Sequence, residues 1–103
     1  MKNWNRTKWV SESGQVVTIQ EVLGKLQNEP LELLDINSIR HLSRVVIDEF
    51  RKKNADLSFP IIVVEKDGVY QMILDGHHRL QKAIDNRHTH IYAKLFKGDL
   101  FSV

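Results

Sequence analysis

The sequence predicts a small α/β domain of the α+β kind, a mixed sheet with helices packed on it. Three observations carry that expectation. Residues 61–64, Ile-Ile-Val-Val, are β-branched and apolar on both faces, as in a strand covered on both sides. Lys66-Asp67-Gly68 is a tight-turn signal between that run and a second one, Val69–Asp75. Helical stripes flank the pair, with Ile19, Val22, Leu23 and Leu26 before it and His77, Leu80, Ala83, Ile84 and Arg87 after it.

The elements follow in order. Residues 1–14 hold Trp4, Trp9 and a Ser-Glu-Ser-Gly stretch and read as an irregular arm. The two Trp either pack the arm onto the body or a partner subunit, or stack bases. Thr18 and Glu21 have capping-box spacing, which opens a helix over 19–27 that Asn28 and Pro30 close. Residues 31–36 read as a strand. Leu42, Val45, Val46 and Phe50 form a helical face, with Ser43 as its cap and Asn54 at its end. Pro60 opens the strand–turn–strand unit, a helix covers 76–87, and residues 91–97 alternate as a half-buried strand. Phe96 and Phe101 suggest a tail that is tied down. Residues 1–30 are thus an arm and short helix and 31–103 the main domain, one compact domain overall.

Composition bounds the function. The 103 residues are 42% hydrophobic and 27% charged, which suits a globular chain and argues against disorder. The absence of cysteine excludes disulfides, thiolate metal sites and a Cys nucleophile, and fits a reducing cytoplasm. No apolar run reaches the ~18 residues of a membrane span. The basic N-terminus has no apolar segment behind it, so no secretory signal is expected. A net charge of +2 permits nucleotide or nucleic-acid binding without demanding it.

The chemistry concentrates at residues 74–80, Leu-Asp-Gly-His-His-Arg-Leu, where a strand meets a helix. A helix N-terminus offers unpaired N–H groups and partial positive charge to an anion. Gly76 lets a phosphate approach the backbone, and Arg79 can grip its oxygens in a bidentate fork. His78 lies off the apolar stripe, facing solvent or ligand. Asp75 can hold Mg²⁺ beside a phosphate or take a proton from a hydroxyl, which makes Asp75 and His78 the candidate catalytic pair. A structural account competes with each role. Asp75 caps the helix, Gly76 serves a turn, His77 packs on the stripe, and Arg79 pairs with Asp75 or Asp85.

On Pro60–Val64, on Ile73–Leu80 and on the strand that follows, the chain resembles the ParB/sulfiredoxin superfamily, over roughly residues 31–97. The resemblance implies a compact α/β fold with a G-x-x-R phosphate corner, so that Gly76, His77, His78 and Arg79 surround nucleotide phosphates. The cofactors it implies are Mg²⁺, held by Asp75, and ATP/ADP or CTP. Sulfiredoxins carry Gly-Cys-His-Arg; His77 stands at their Cys position, which excludes sulfinic-acid reduction. The free-serine kinase branch carries Asp-Gly-His-His-Arg, as residues 75–79 do, and there Asp75 would help activate the acceptor hydroxyl. That branch also uses a Glu after a Pro-His; here His41 matches and Leu42 stands in the acid's place, with Asp48 or Glu49 one turn on as substitutes. The ParB branch binds CTP and DNA and adds a helix-turn-helix domain, for which the six residues after the last predicted strand leave no room.

The leading expectation is therefore a nucleotide-phosphate-binding domain, a Mg²⁺-dependent phosphotransferase or nucleotide hydrolase if it is an enzyme. A ParB-like nuclease or DNA-binding regulator is the alternative, and a degenerate interaction domain the third. A metal nuclease needs clustered acids, and only Asp75 with Glu65 or Asp67 offers them. His88 and His90 would share a face at the start of the last strand, as surface residues or as metal ligands. Arg51-Lys52-Lys53 complements a helix dipole or forms a DNA patch. The aromatic ends fit a homodimer.

Overall fold

The computed structural model describes residues 8–43 and 45–102. Trp4 lies outside them, so the reading made for it has no structural counterpart here. The fold is α+β, as expected, built on a four-stranded mixed sheet with a separate two-stranded ribbon.

The arm is more regular than the sequence suggests. Strands β1 (Lys8–Val10) and β2 (Val16–Thr18) pair antiparallel, with Trp9 opposite Val17. Ser11 closes the connection, its carbonyl accepting from Gly14 N–H and its N–H donating to the Gln15 carbonyl. The polar Ser-Glu-Ser-Gly stretch that reads as part of an irregular arm is thus a hairpin loop. Helix α1 (Ile19–Leu26) begins as predicted: the Thr18 hydroxyl accepts from Glu21 N–H, and the Glu21 carboxylate accepts from Thr18 N–H.

The main sheet runs β3–β6–β4–β5, with β3 (Glu32–Asp35), β4 (Ile61–Lys66), β5 (Val69–Asp75) and β6 (His90–Lys97). The β4–β6 pair is parallel and its neighbours are antiparallel. Asp67 and Gly68, both at positive φ (53° and 79°), make the two-residue loop between β4 and β5 that a primed turn requires. Helix α3 (His77–Asp85) follows β5 directly.

Both sheet faces are covered, which explains the unbroken apolar run of β4. Ile62, Val64, Leu74 and Phe96 pack with Val17, Val22, Leu26 and Trp9 on one side. Ile61, Val63, Ile73 and Leu95 pack with Leu80, Ala83 and Ile39 on the other. Phe96 is fully buried, Phe101 packs on the same cluster, and the Phe101 carbonyl accepts from Gln15 Nε2, so the tail is held as expected.

The helix expected from Leu42 does not form. A 3₁₀ turn covers Arg40–Leu42, and the only α-helix between β3 and β4 among the described residues is the short α2, Glu49–Lys53. Asp48, not Ser43, caps it, accepting from Arg51 N–H at 3.1 Å. Val45, Val46 and Ile47 stand in the gap as three consecutive β-branched residues, which resist helix. Leu42 alone of the supposed stripe is buried; Val46 and Phe50 are 96% and 76% exposed.

Candidate functional site

The chain turns from β5 into α3 through Gly76, whose φ of 100° is left-handed. A Cβ at this position would lie 2.8 Å from Ile61 Cβ and 3.1 Å from Ile61 Cα. Gly76 is therefore glycine for two local reasons, the sign of φ and the close approach of β4. Room for a phosphate is not needed to explain it.

No side chain caps α3. Asp75 does not do so; its Oδ2 accepts from Arg79 Nη2 at 3.3 Å instead. Arg79 also donates through Nη1 to the Pro60 carbonyl, fastening the first turn of α3 to the start of β4. Asp85 is occupied elsewhere, by Lys52 and Gln81. Its carboxyl is held below the usual carboxylate range by those partners, Lys52 first.

The two imidazoles differ in setting. His77 is half-buried, and its Nδ1 is enclosed without a hydrogen-bond partner among the described residues. Desolvation pushes its pKa below the ordinary imidazole value, against a smaller upward pull from the Ile73 carbonyl and Asp75. His78 is not simply turned to solvent. Its Nε2 accepts from the Asp48 backbone N–H at 3.1 Å, which ties α3 to the cap of α2. That bond needs a bare Nε2, so neutral His78 carries its proton on Nδ1.

Residues 74–79 form one wall of a cleft of about 650 Å³. Arg51, Asn54 and Asp56 contribute from α2 and the loop after it, and Val45, Val46 and Phe59 form apolar parts of the lining. Among the acids of that lining, Asp56 has its carboxyl lowered by hydrogen bonds from the Ser58 hydroxyl and backbone N–H, with Lys82 and Arg79 adding a weaker pull. Arg51 and Asp56 are the members that sequence reasoning missed. Arg51 looked like a helix-dipole residue, and it does occupy the last turn of α2, but it also lines the cleft. The Ser58 spacing marks Asp56 as an Asx turn, which gives no hint that it meets α3.

The substitute acids do not reach the cleft. Asp48 is spent on the α2 cap and Glu49 pairs with Lys52, and neither lines it. Glu65 pairs with Tyr70 near the turn of the β4–β5 hairpin, whereas Asp75 pairs with Ile62 at its open end, so Glu65 and Asp67 sit far along the strands from Asp75. No group of three or more His, Cys, Asp or Glu able to hold a metal occurs among the described residues. His88 precedes β6 and His90 opens it; both are exposed, and His90 Nδ1 is hydrogen-bonded to Thr89 Oγ1. No described helix is long and apolar enough to cross a membrane.

No family model, curated protein or solved structure matches the chain.

Proposed function

We propose that the chain binds a nucleoside di- or triphosphate, with its phosphates at the N-terminus of α3. The observation that supports this most directly is the cleft: Asp75 through Arg79 share one wall of it, α3 begins there without a side-chain cap, and Arg51 adds a second guanidinium. Uncapped N–H groups, Arg51, Arg79 and the Nδ1–H of His78 are donors suited to phosphate oxygens. The likeness of residues 75–79 to the phosphate corner of the ParB/sulfiredoxin superfamily supports the same reading.

Mg²⁺ fits this lining in the manner usual for nucleotide sites, with one or two carboxylates and the phosphates themselves as ligands. Asp75 would hold it, with Asp56 the other acid of the cleft. The ion would neutralise phosphate charge. The chain's own residues would position the nucleotide, and Asp75 is the group suited to take a proton from an attacking hydroxyl or water. Phosphoryl transfer or nucleotide hydrolysis is the corresponding reaction class. Because Arg79 also fastens Pro60, its role is split between holding the corner and holding the ligand.

A thermal-shift panel of ATP, ADP, CTP, GTP and a short DNA duplex, with and without Mg²⁺, tests the reading. Saturation at 100 times the dissociation constant stabilises by ~2.7 kcal/mol, which moves the midpoint several degrees in a domain of this size. One nucleotide should produce that shift, and Arg51→Ala should reduce it while leaving the Arg79–Pro60 tie intact. Arg79→Ala should abolish it. A shift with DNA alone, falling steeply with salt, would put a backbone phosphate in the cleft instead. No shift with any nucleotide would overturn the proposal.

A further inference from the structure

The Asp75–Arg79 pair has a second side. There a smaller pocket of about 260 Å³ shares Phe59, Asp75 and Arg79 with the phosphate cleft. Its remaining lining is Leu23 and Leu26 of α1, Pro60, Ile62 of β4, and Lys94 of β6. Its walls are thus mainly hydrocarbon, with the charged groups few and identifiable.

Those charges do not balance. Asp75 is paired with Arg79, and Lys94 has no carboxylate partner among the described residues. The part-buried Lys94 ammonium donates to the Leu26 carbonyl at 3.2 Å, at the C-terminal end of α1, and has further N–H donors to give. A part-buried cation with unspent donors, set against Leu23, Leu26, Phe59 and Ile62, is complementary to one ligand chemistry: an anionic head on an apolar body.

We propose that this pocket binds a small apolar monocarboxylate, its carboxylate on Lys94 and its hydrocarbon among Leu23, Leu26, Phe59 and Ile62. The site goes beyond the phosphate reading and stands without it. Were both sites filled, the two ligands would lie on either side of Asp75 and Arg79.

The probe is 4-methylpentanoate, titrated at millimolar concentration into the whole chain and followed by methyl and amide NMR, with 4-methylpentan-1-ol and 4-methylpentan-1-amine as matched controls. The carboxylate should move the methyl signals of Leu23, Leu26 and Ile62. The alcohol should bind about tenfold more weakly or worse, because it forfeits a charge-assisted hydrogen bond. The amine should not bind. Lys94→Met should remove binding and Lys94→Arg should restore it. Leu23→Asp, at a partly exposed position that tolerates polarity, should weaken carboxylate binding even if Lys94→Met fails to fold. Methyl signals that do not move, acid and alcohol binding alike, or full binding by folded Lys94→Met would each overturn the proposal. Pyrophosphate added to the same sample reads the cleft separately, through the amides of 76–79, so either site can fail alone.

Discussion

Helices α1 and α3 begin in opposite ways. The first is closed by its own sequence, with Thr18 and Glu21 satisfying each other's backbone N–H groups. The second starts on a left-handed glycine with no side-chain cap, facing a cleft that holds Arg51, Arg79 and His78. A capped N-terminus has already spent part of its donors within the chain, and a start without a side-chain cap leaves more of them open to an anion. The corner is held instead by longer reaches, Arg79 to Pro60 and His78 to Asp48.

Exchanging glycine for alanine in each helix tests this contrast with the largest effect. Gly76→Ala combines left-handed strain of ~1–2 kcal/mol with overpacking against Ile61 of ~1–3 kcal/mol. The sum, about 2–5 kcal/mol, should appear as a large fall in the urea midpoint. Gly24, exposed inside α1 with nothing within 4 Å of an added Cβ, should respond in the opposite direction. Gly24→Ala should stabilise by ~1 kcal/mol through helix propensity. Equal responses at the two positions would mean that β4 does not press on the α3 corner.

Thr18→Ala comes next. It should cost ~1 kcal/mol, the usual worth of a cap, and leave the proposed nucleotide binding unchanged. Any loss of binding in this variant would show that α1 and α3 are less independent than their separate starts imply.

The same contrast explains what could be read in advance. Helix α1 was legible because its cap lies within four residues of sequence, and β4, β5 and their turn because β-branching and Asp-Gly act locally. The region between Leu42 and Asn54 was misread because Val45, Val46 and Phe50 fall at helical spacing although they face outward. Periodicity reports a face, not whether anything covers it. At the corner, residues 75–79 could be picked out by type, but their partners could not. Pro60 is 19 residues from Arg79 and Asp48 is 30 from His78. Only the folded sheet brings Arg51 and Asp56 to the same cleft.

The smallest expected effect separates the two helix starts by pH. The capping box of α1 contains no imidazole, whereas the first residue of α3 is His77, whose pKa burial lowers. Below the ordinary imidazole value of 6.5 the unfolded chain takes up a proton at this position that the folded chain resists. Folding stability therefore falls as pH drops through the window beneath that value, and it is flat in this term above it. At most one proton is involved, so the slope is shallow. A urea series between about pH 5 and pH 8 should show this loss on the acid side in the wild type and less of it in His77→Gln. A His77→Gln slope equal to that of the wild type would assign the acid sensitivity to another group.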